Sequence, residues 1–298
     1  MASQELPFED YFSLDDETCN ARISAAKQKL GDDLIILGHH YQRNEVFQHA
    51  DFSGDSLKLS RNAADSNAKY IVFCGVHFMA ILPDMAAGCS MADMANRVNV
   101  DRAWEEMKQV FDPDELVTPI TYINSAADLK SFCGKHGGIV CTSTNAPHVL
   151  DWAFSQRQKV LFFPDQHLGR NTGYKMGIPL DEMVVWDFDK PMGGLTEEAL
   201  KKAKIILWKG FCSVHQMFQP VQIDNFLEKY PETKVISHPE CSFEVCQKSD
   251  YVGSTEYIVN TIADSEPGTR WLVGTELNLV NRLNERFQSE GKSVHFMS

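Results

Sequence analysis

The sequence has 298 residues, 43% of them hydrophobic and 23% charged, with a formal net charge of -13. A chain of this size buries the cores of two or three domains, and its ordinary composition excludes a disordered or coiled-coil protein. So acidic a surface repels a phosphate backbone, and no nucleic-acid partner is expected; small anionic metabolites stay open, because helix N-termini and polar side chains bind them locally.

Residues 1–16 are acidic and lack both the basic-then-apolar order of a secretory signal and the Arg-rich character of a transit peptide. No run of about 18 apolar residues occurs, so no membrane partner is expected and the cytoplasm is the expected location. There the cysteines, Cys19, Cys74, Cys89, Cys133, Cys141, Cys212, Cys241 and Cys246, are expected as free thiols and not as a disulfide frame. No C-x-x-C pair occurs, so neither a zinc ribbon nor a thioredoxin-type motif is expected.

Along the chain, short apolar runs end abruptly in polar residues and are mostly followed by helical patterns. The runs 34–37 and 70–73 close on Gly38-His39-His40-Tyr41 and on Cys74-Gly75. Those at 118–123 and 138–140 precede Asn124-Ser125 and Cys141-Thr142-Ser143-Thr144-Asn145, and that at 160–163 precedes Pro164-Asp165-Gln166-His167. The last three, at 204–207, 234–236 and 271–273, run into Trp208-Lys209-Gly210-Phe211-Cys212, Ser237-His238-Pro239-Glu240-Cys241 and Gly274-Thr275-Glu276. Helices are predicted over 16–30, 56–68, 196–203, 221–230 and 255–263, the third opening on a Thr-Glu-Glu cap. Continuous apolar strands alternating with helices read as parallel sheets covered on both faces, so the fold class is α/β.

The strands group into three blocks: 1–110, closed by the returning segment 271–298; 111–200; and 201–270. Pro191-Met192-Gly193-Gly194 is a hinge candidate between the second and third. In open α/β sheets ligands bind beyond the carboxyl ends of the strands. Here those ends carry His, Tyr, Asn, Ser, Thr, Cys and Glu, where plain turns would carry mostly Gly, Asp, Asn and Pro. Three small units facing one central site is the economical arrangement.

Several residue groups can carry chemistry. Cys89 follows Gly88 at an apparent helix start, which favours thiolate; a buried apolar cysteine is the bland alternative. Cys212 and His215 suit a nucleophilic pair, a metal pair or neither. In His238-Pro239-Glu240 the proline restrains a carboxylate beside an imidazole, an acid/base arrangement. His39 and His40 suit a carboxylate, a phosphate or a metal. Tyr122, Asn124, Ser143 and the Gly253-Ser254-Thr255 helix start offer contacts to anions. No Walker or dinucleotide fingerprint occurs, so ATP and NAD are not expected as cofactors. Thiolates on separate strand ends suit a soft metal or an iron–sulfur cluster.

Gly38-His39-His40-Tyr41-Gln42, Gly54-Asp55-Ser56, Gly75-Val76-His77-Phe78-Met79, Ala87-Gly88-Cys89-Ser90-Met91-Ala92-Asp93 and Cys141-Thr142-Ser143-Thr144-Asn145-Ala146 occur in order. Pro164-Asp165-Gln166-His167-Leu168-Gly169, Gly210-Phe211-Cys212-Ser213-Val214-His215, His238-Pro239-Glu240, Gly253-Ser254-Thr255 and Gly274-Thr275-Glu276 follow. By these stretches, over nearly its whole length, the chain resembles the quinolinate synthases. The resemblance implies three pseudo-repeated αβα (Rossmann-like) domains with short parallel sheets around one central active site. It implies a transferase of NAD biosynthesis that condenses iminoaspartate with dihydroxyacetone phosphate, releasing phosphate and water. It also implies a 4Fe-4S cluster whose open iron acts as a Lewis acid, and a functional link to an L-aspartate oxidase or dehydrogenase. Cys89 and Cys212 match two cluster ligands. His39, Ser56, Tyr122, Asn124, Ser143, His238, Glu240 and Thr255 match substrate-binding positions. Glu240 matches the general acid/base, assisted by Tyr41, Tyr122 and His215.

The resemblance places the third cluster cysteine beyond Ser298, and no cysteine follows Cys246 here; Cys241 or Cys246 is the internal alternative. The connection between Met79-Ala80 and Ile81-Leu82 is shorter than the family pattern. Two other functions remain in view: a metabolite-binding protein without the cluster, and a zinc-dependent lyase on a phosphorylated sugar with His39, His40 and His238 as ligands.

Overall fold

A computed structural model describes residues 9–75 and 89–298, apart from the side chain of Glu9. The short connection at Ala80-Ile81 lies outside these residues. The chain forms two compact units, one up to Cys74 and one from Gly75 onward.

The first unit holds a three-stranded parallel sheet, ordered β2-β1-β3, from β1 (Leu34–His39), β2 (Phe52–Gly54) and β3 (Tyr70–Cys74). Asp51 fixes the entry to β2, accepting from the Ile36 amide at 2.8 Å and from Lys27 Nζ at 2.6 Å. The helix Ser56–Ala64 starts where the Asp55 side chain accepts from the Lys58 amide, a standard N-cap.

In the second unit, five parallel strands are ordered β5-β4-β6-β8-β7: β4 (Val117–Tyr122), β5 (Ile139–Cys141), β6 (Lys159–Phe163), β7 (Met183–Trp186) and β8 (Ile205–Trp208). Every residue of β4, β6 and β8 is buried, as expected for central strands covered on both faces. Alternation divides them between two cores. Leu161, Phe163, Ile206 and Trp208 pack with Trp104 and Phe132 from the helices Arg97–Met107 and Ala127–Lys135. Val160, Phe162, Ile205 and Leu207 pack with Leu150 and Leu168 from the helices Ala146–Gln156 and Gln166–Lys175. The result is an αβα layer.

A four-stranded parallel sheet, ordered β10-β9-β11-β12, completes the second unit: β9 (Lys234–Ser237), β10 (Tyr251–Val252), β11 (Arg270–Gly274) and β12 (Ser293–Phe296). Val235 and Leu272 face a core with Phe218, Ile223 and Met297. The fold is thus α/β with three short parallel sheets in a Rossmann-like αβα arrangement. No helix among the described residues is long and apolar enough to cross a membrane.

Strand membership differs from the sequence grouping in two places. The run at 204–207, assigned to the third block, is β8, between β6 and β7 in the five-stranded sheet. The segment 271–298, assigned to close the first block, supplies β11 and β12 to the sheet of β9. An apolar run announces a buried strand and says nothing about which edge it joins, so chain order misled at both block ends. The hinge candidate is a tight turn inside the five-stranded sheet, between β7 and β8. Gly193, at a φ of 62°, fits there because a Cβ would meet the Trp186 ring at 2.5 Å.

The first residue of β6 closes a helix from below. Lys159 Nζ donates to the carbonyls of Leu200, Lys201 and Ala203 at 3.2, 2.7 and 2.6 Å, at the end of the helix Glu197–Lys202. Lys159→Met is expected to leave these acceptors unpaired and cost about 1–3 kcal/mol, seen as a lower urea midpoint. An unchanged midpoint would show that water replaces the ammonium.

Candidate active site

The carboxyl ends of the five- and four-stranded sheets meet around Glu240. This residue follows β9 in the turn His238-Pro239-Glu240-Cys241, closed by a 2.9 Å bond from the Cys241 amide to the His238 carbonyl. The His238 amide donates to Gly274 at the end of β11 at 3.0 Å, so the turn is anchored on its own sheet. Opposite it, the loop after β8 carries Cys212 and His215.

His215 Nδ1 lies 3.0 Å from Glu240 Oε2, an ion-pair contact without the alignment of a hydrogen bond. Its Nε2 lies 3.3 Å from Thr275 Oγ1, beyond β11. The His215 and His238 rings stack at 4.6 Å, and His238 Nδ1 is 3.9 Å from the same carboxylate oxygen. His215, His238 and Glu240 are 1%, 2% and 3% exposed, so their charges act on one another with little screening by water. Burial pushes the Glu240 carboxyl up, but the charges of His238 and His215, with a hydrogen bond from Tyr122, outweigh it and hold the group at about 2.

Cys89 is the N-cap of the single-turn helix Ser90–Asp93. Three ties bring this segment against the Cys212 loop. Ser90 Oγ lies 3.1 Å from Ser213 Oγ, Trp208 Nε1 donates to the Met94 carbonyl at 2.8 Å, and the Phe211 amide donates to Met94 Sδ at 3.3 Å. Of the two readings of Cys89, a helix-start thiolate and a buried cysteine, burial has the larger effect on the thiol. Burial raises its thiol, the Met91 and Ala92 amides oppose this only in part, and Glu240 adds to the rise. Cys212 is raised in the same way, first by burial and then by Glu240. Two soft donors are therefore held beside a carboxylate, where a cation would relieve the cost of ionising them. Cys212 Sγ, a His215 ring nitrogen and a Glu240 oxygen lie within 4.8 Å of one another. Buried His215 Nδ1, without a hydrogen bond, faces that group. This convergent set is a metal-capable group among the described residues.

Tyr122 ends β4 and is buried beside Glu240. Asn124, two residues on, has a buried Oδ1 without a hydrogen-bond partner among the described residues. Ser143 lies in the loop after β5, where Asn145 Oδ1 accepts from the Thr142 amide at 2.6 Å. With Ser254, the N-cap of the helix Thr255–Ala263, Ser143 lines a cavity of about 590 Å³; Thr255 is buried at that helix's first position. In the first unit, His39 ends β1 beside Gly54, and both His39 and Ser56 are buried. The Tyr41 ring meets His39 edge-on at 4.8 Å. Cys241 and Cys246 belong to the apolar core of the four-stranded sheet, their sulfurs 3.5 Å from the Gly274 carbonyl and 3.7 Å from the His238 carbonyl, and burial raises both thiols.

Sequence reasoning gave no role to three residues at this site: Asp165, Asn171 and Thr275. Asp165 caps the helix Gln166–Lys175, its Oδ1 accepting from the His167 and Leu168 amides at 2.6 and 3.2 Å. Its Oδ2 is buried without a hydrogen-bond partner among the described residues, and burial followed by the Glu240 charge raises its carboxyl well above the usual range. The strand-end positions of Asp165 and Thr275 were the available signal; Asn171, inside a helix, offered none.

A family model described as "Quinolinate synthetase A protein" matches residues 21–297. A quinolinate synthase of Rhodopirellula baltica is 50% identical over 317 aligned residues, covering 98% of this chain and 80% of that relative. One of Acidobacterium capsulatum is 52% identical, covering 95% and 80%. One of Herpetosiphon aurantiacus is 52% identical, covering 92% and 77%. The chain belongs to the quinolinate synthase family of enzymes.

Proposed function

We propose that this chain condenses iminoaspartate with dihydroxyacetone phosphate to quinolinate, with release of phosphate and water, in the cytoplasm and in functional association with an L-aspartate oxidase or dehydrogenase. The observation that carries the reading is the meeting of Cys89 and Cys212, on cross-tied segments, with the buried Glu240–His215 pair. The donor chemistry fits a 4Fe-4S cluster: two soft thiols, raised by burial, that bound iron would hold as thiolates. When bound, the cluster supplies a Lewis-acidic iron position toward a substrate oxygen.

The chain's own residues then bind and move protons. Glu240 rests ionised and, as the general acid/base, takes and then returns a proton, set against His215, whose other ring nitrogen meets Thr275. Tyr122 donates to the same carboxylate. Asn124, Ser143, His238 and Thr255 receive the substrate's carboxylates and phosphate, the helix start at Thr255 favouring an anion. On the first unit, His39 and Ser56 are assigned to substrate binding and Tyr41 to catalytic assistance.

Anaerobic reconstitution with iron and sulfide, followed by a quinolinate assay, tests the reading. Cys89→Ser and Cys212→Ser are each expected to lose most bound iron and the activity; undiminished iron in both would refute the ligand assignment. The group of Cys212, His215 and Glu240 within 4.8 Å also favours a second reading, one zinc ion in a lyase site. That reading predicts a colourless protein with stoichiometric zinc.

A further inference from the structure

Asn171 sits in the helix Gln166–Lys175, is 8% exposed, and reaches across to the other sheet. Its Nδ2 is 2.9 Å from the Pro239 carbonyl, 2.9 Å from the Cys241 carbonyl and 3.2 Å from Cys246 Sγ. A carboxamide nitrogen has two hydrogens, so the two carbonyls take both and the sulfur is left as a packing contact. Those carbonyls belong to the residues immediately before and after Glu240. We propose that Asn171 is a positioning residue that clamps the chain on both sides of Glu240 and so sets the carboxylate against His215. The inference rests on the acid/base reading of Glu240 and deepens it.

The two partners ride on different sheets. Glu240 rides on the four-stranded sheet, through the turn anchored at Gly274. His215 rides on the five-stranded sheet, in the loop after β8. The helix of Asn171 belongs to that same sheet: a Cβ at Gly169 would stand 2.6 Å from Leu207 and 2.9 Å from Phe162, so the helix lies directly on β8 and β6. His167 Nε2, at 3.0 Å from Gln216 Oε1, ties the helix to the His215 loop as well. Asn171 and His215 therefore share one base, and the clamp sets the distance between the sheets where the 3.0 Å His215–Glu240 contact is made. An acid/base pair split between two sheets needs such a brace, because a small slide of one layer opens the contact without unfolding either.

Steady-state kinetics on the anaerobically reconstituted full chain test this. Asn171→Leu keeps much of the volume and removes both donors. It is expected to lower kcat on the order of 10²-fold, the effect of a displacement of about 1 Å at a reacting group. KM should change much less than kcat, because Asn124, Ser143 and Thr255 are not held by the clamp and His238 is the one assigned substrate contact beside it. Iron content should match the unaltered chain, since neither Cys89 nor Cys212 is touched. A kcat retained within about threefold, or a kcat that falls only in step with iron content, overturns the proposal. Should Asn171→Leu not fold, Asn171→Ser is judged by the same criteria, and failure of both to fold overturns it too, as a purely structural role. An unaltered chain that holds its iron yet makes no quinolinate refutes the acid/base reading itself and takes the clamp with it.

Discussion

Glu240→Gln is expected to lower kcat by about 10²- to 10⁴-fold, the usual contribution of a positioned acid/base, with iron content unchanged. Gln keeps the length and the oxygen acceptor, so Tyr122 and the two histidines lose a charge and little of their packing. The carboxyl stands at about 2, below the ordinary range, because the histidine charges outweigh its burial. A depressed folded-state pKa adds stability above the unfolded value of about 4.3, and that stability is lost as acid is added. The loss runs from there down through the folded value of about 2. Glu240 is therefore ionised throughout the neutral range, so it enters the reaction as the base and returns any proton it takes within the same turnover. The His215 imidazole stands against that carboxylate, with Thr275 at its other ring nitrogen. In the unaltered enzyme no limb of the kcat–pH profile above pH of about 5 is expected to belong to Glu240. Retention of kcat within about tenfold in Glu240→Gln would remove Glu240 from the chemistry.

Much of this site could be read from strand ends, and the rest could not, for physical reasons. A strand buried on both faces must be apolar along its length, so β4, β6 and β8 stood out, as did the residues where they stop: Tyr122, Pro164-Asp165 and Cys212. Short edge strands carry little such signal. The strands β2, β7, β10 and β12 were not foreseen, and β10 has only two residues. Which sheet a strand joins depends on pairing partners far along the chain, so β8 and β11 were assigned to the wrong neighbours. The helix Thr255–Ala263 was foreseen to the residue because its Ser254 cap is local chemistry. Cys89 shows the reverse. The helix start was legible, but the balance between a few backbone dipoles and burial is set by packing, and burial won. Asn171 was invisible for the same kind of reason, since a helical asparagine becomes a brace only through the loop that folds over it.

Gly210→Ala is expected to cost about 1–3 kcal/mol of stability, as overpacking does, and to lower iron loading with it. Gly210 stands where the loops after β6 and β8 cross. Its carbonyl accepts from the Gln166 amide at 3.0 Å and its amide donates to the Trp208 carbonyl at 2.7 Å, so its peptide is held on both sides. A methyl here would stand 2.1 Å from the Pro164 carbonyl oxygen and 3.2 Å from Met94 Cβ. The first obstacle is backbone, and no rotamer change clears it. The loops must part by about 1 Å to reach ordinary contact. The loop after β6 is fixed by the Asp165 cap on the helix below it, so the displacement falls on residues 210–213. These carry Cys212 and, through Phe211 and Ser213, the ties to the Cys89 segment. Iron analysis and thermal melting of the same preparations separate the two effects. Gly134→Ala is the control: its Cβ meets nothing within 4 Å inside the helix Ala127–Lys135, so it should load iron normally. Helix propensity favours that change by up to about 1 kcal/mol. If Gly210→Ala binds iron and melts like the unaltered chain, the crossing of these loops does not set the position of Cys212, and the cysteine must be held from the Cys89 side alone.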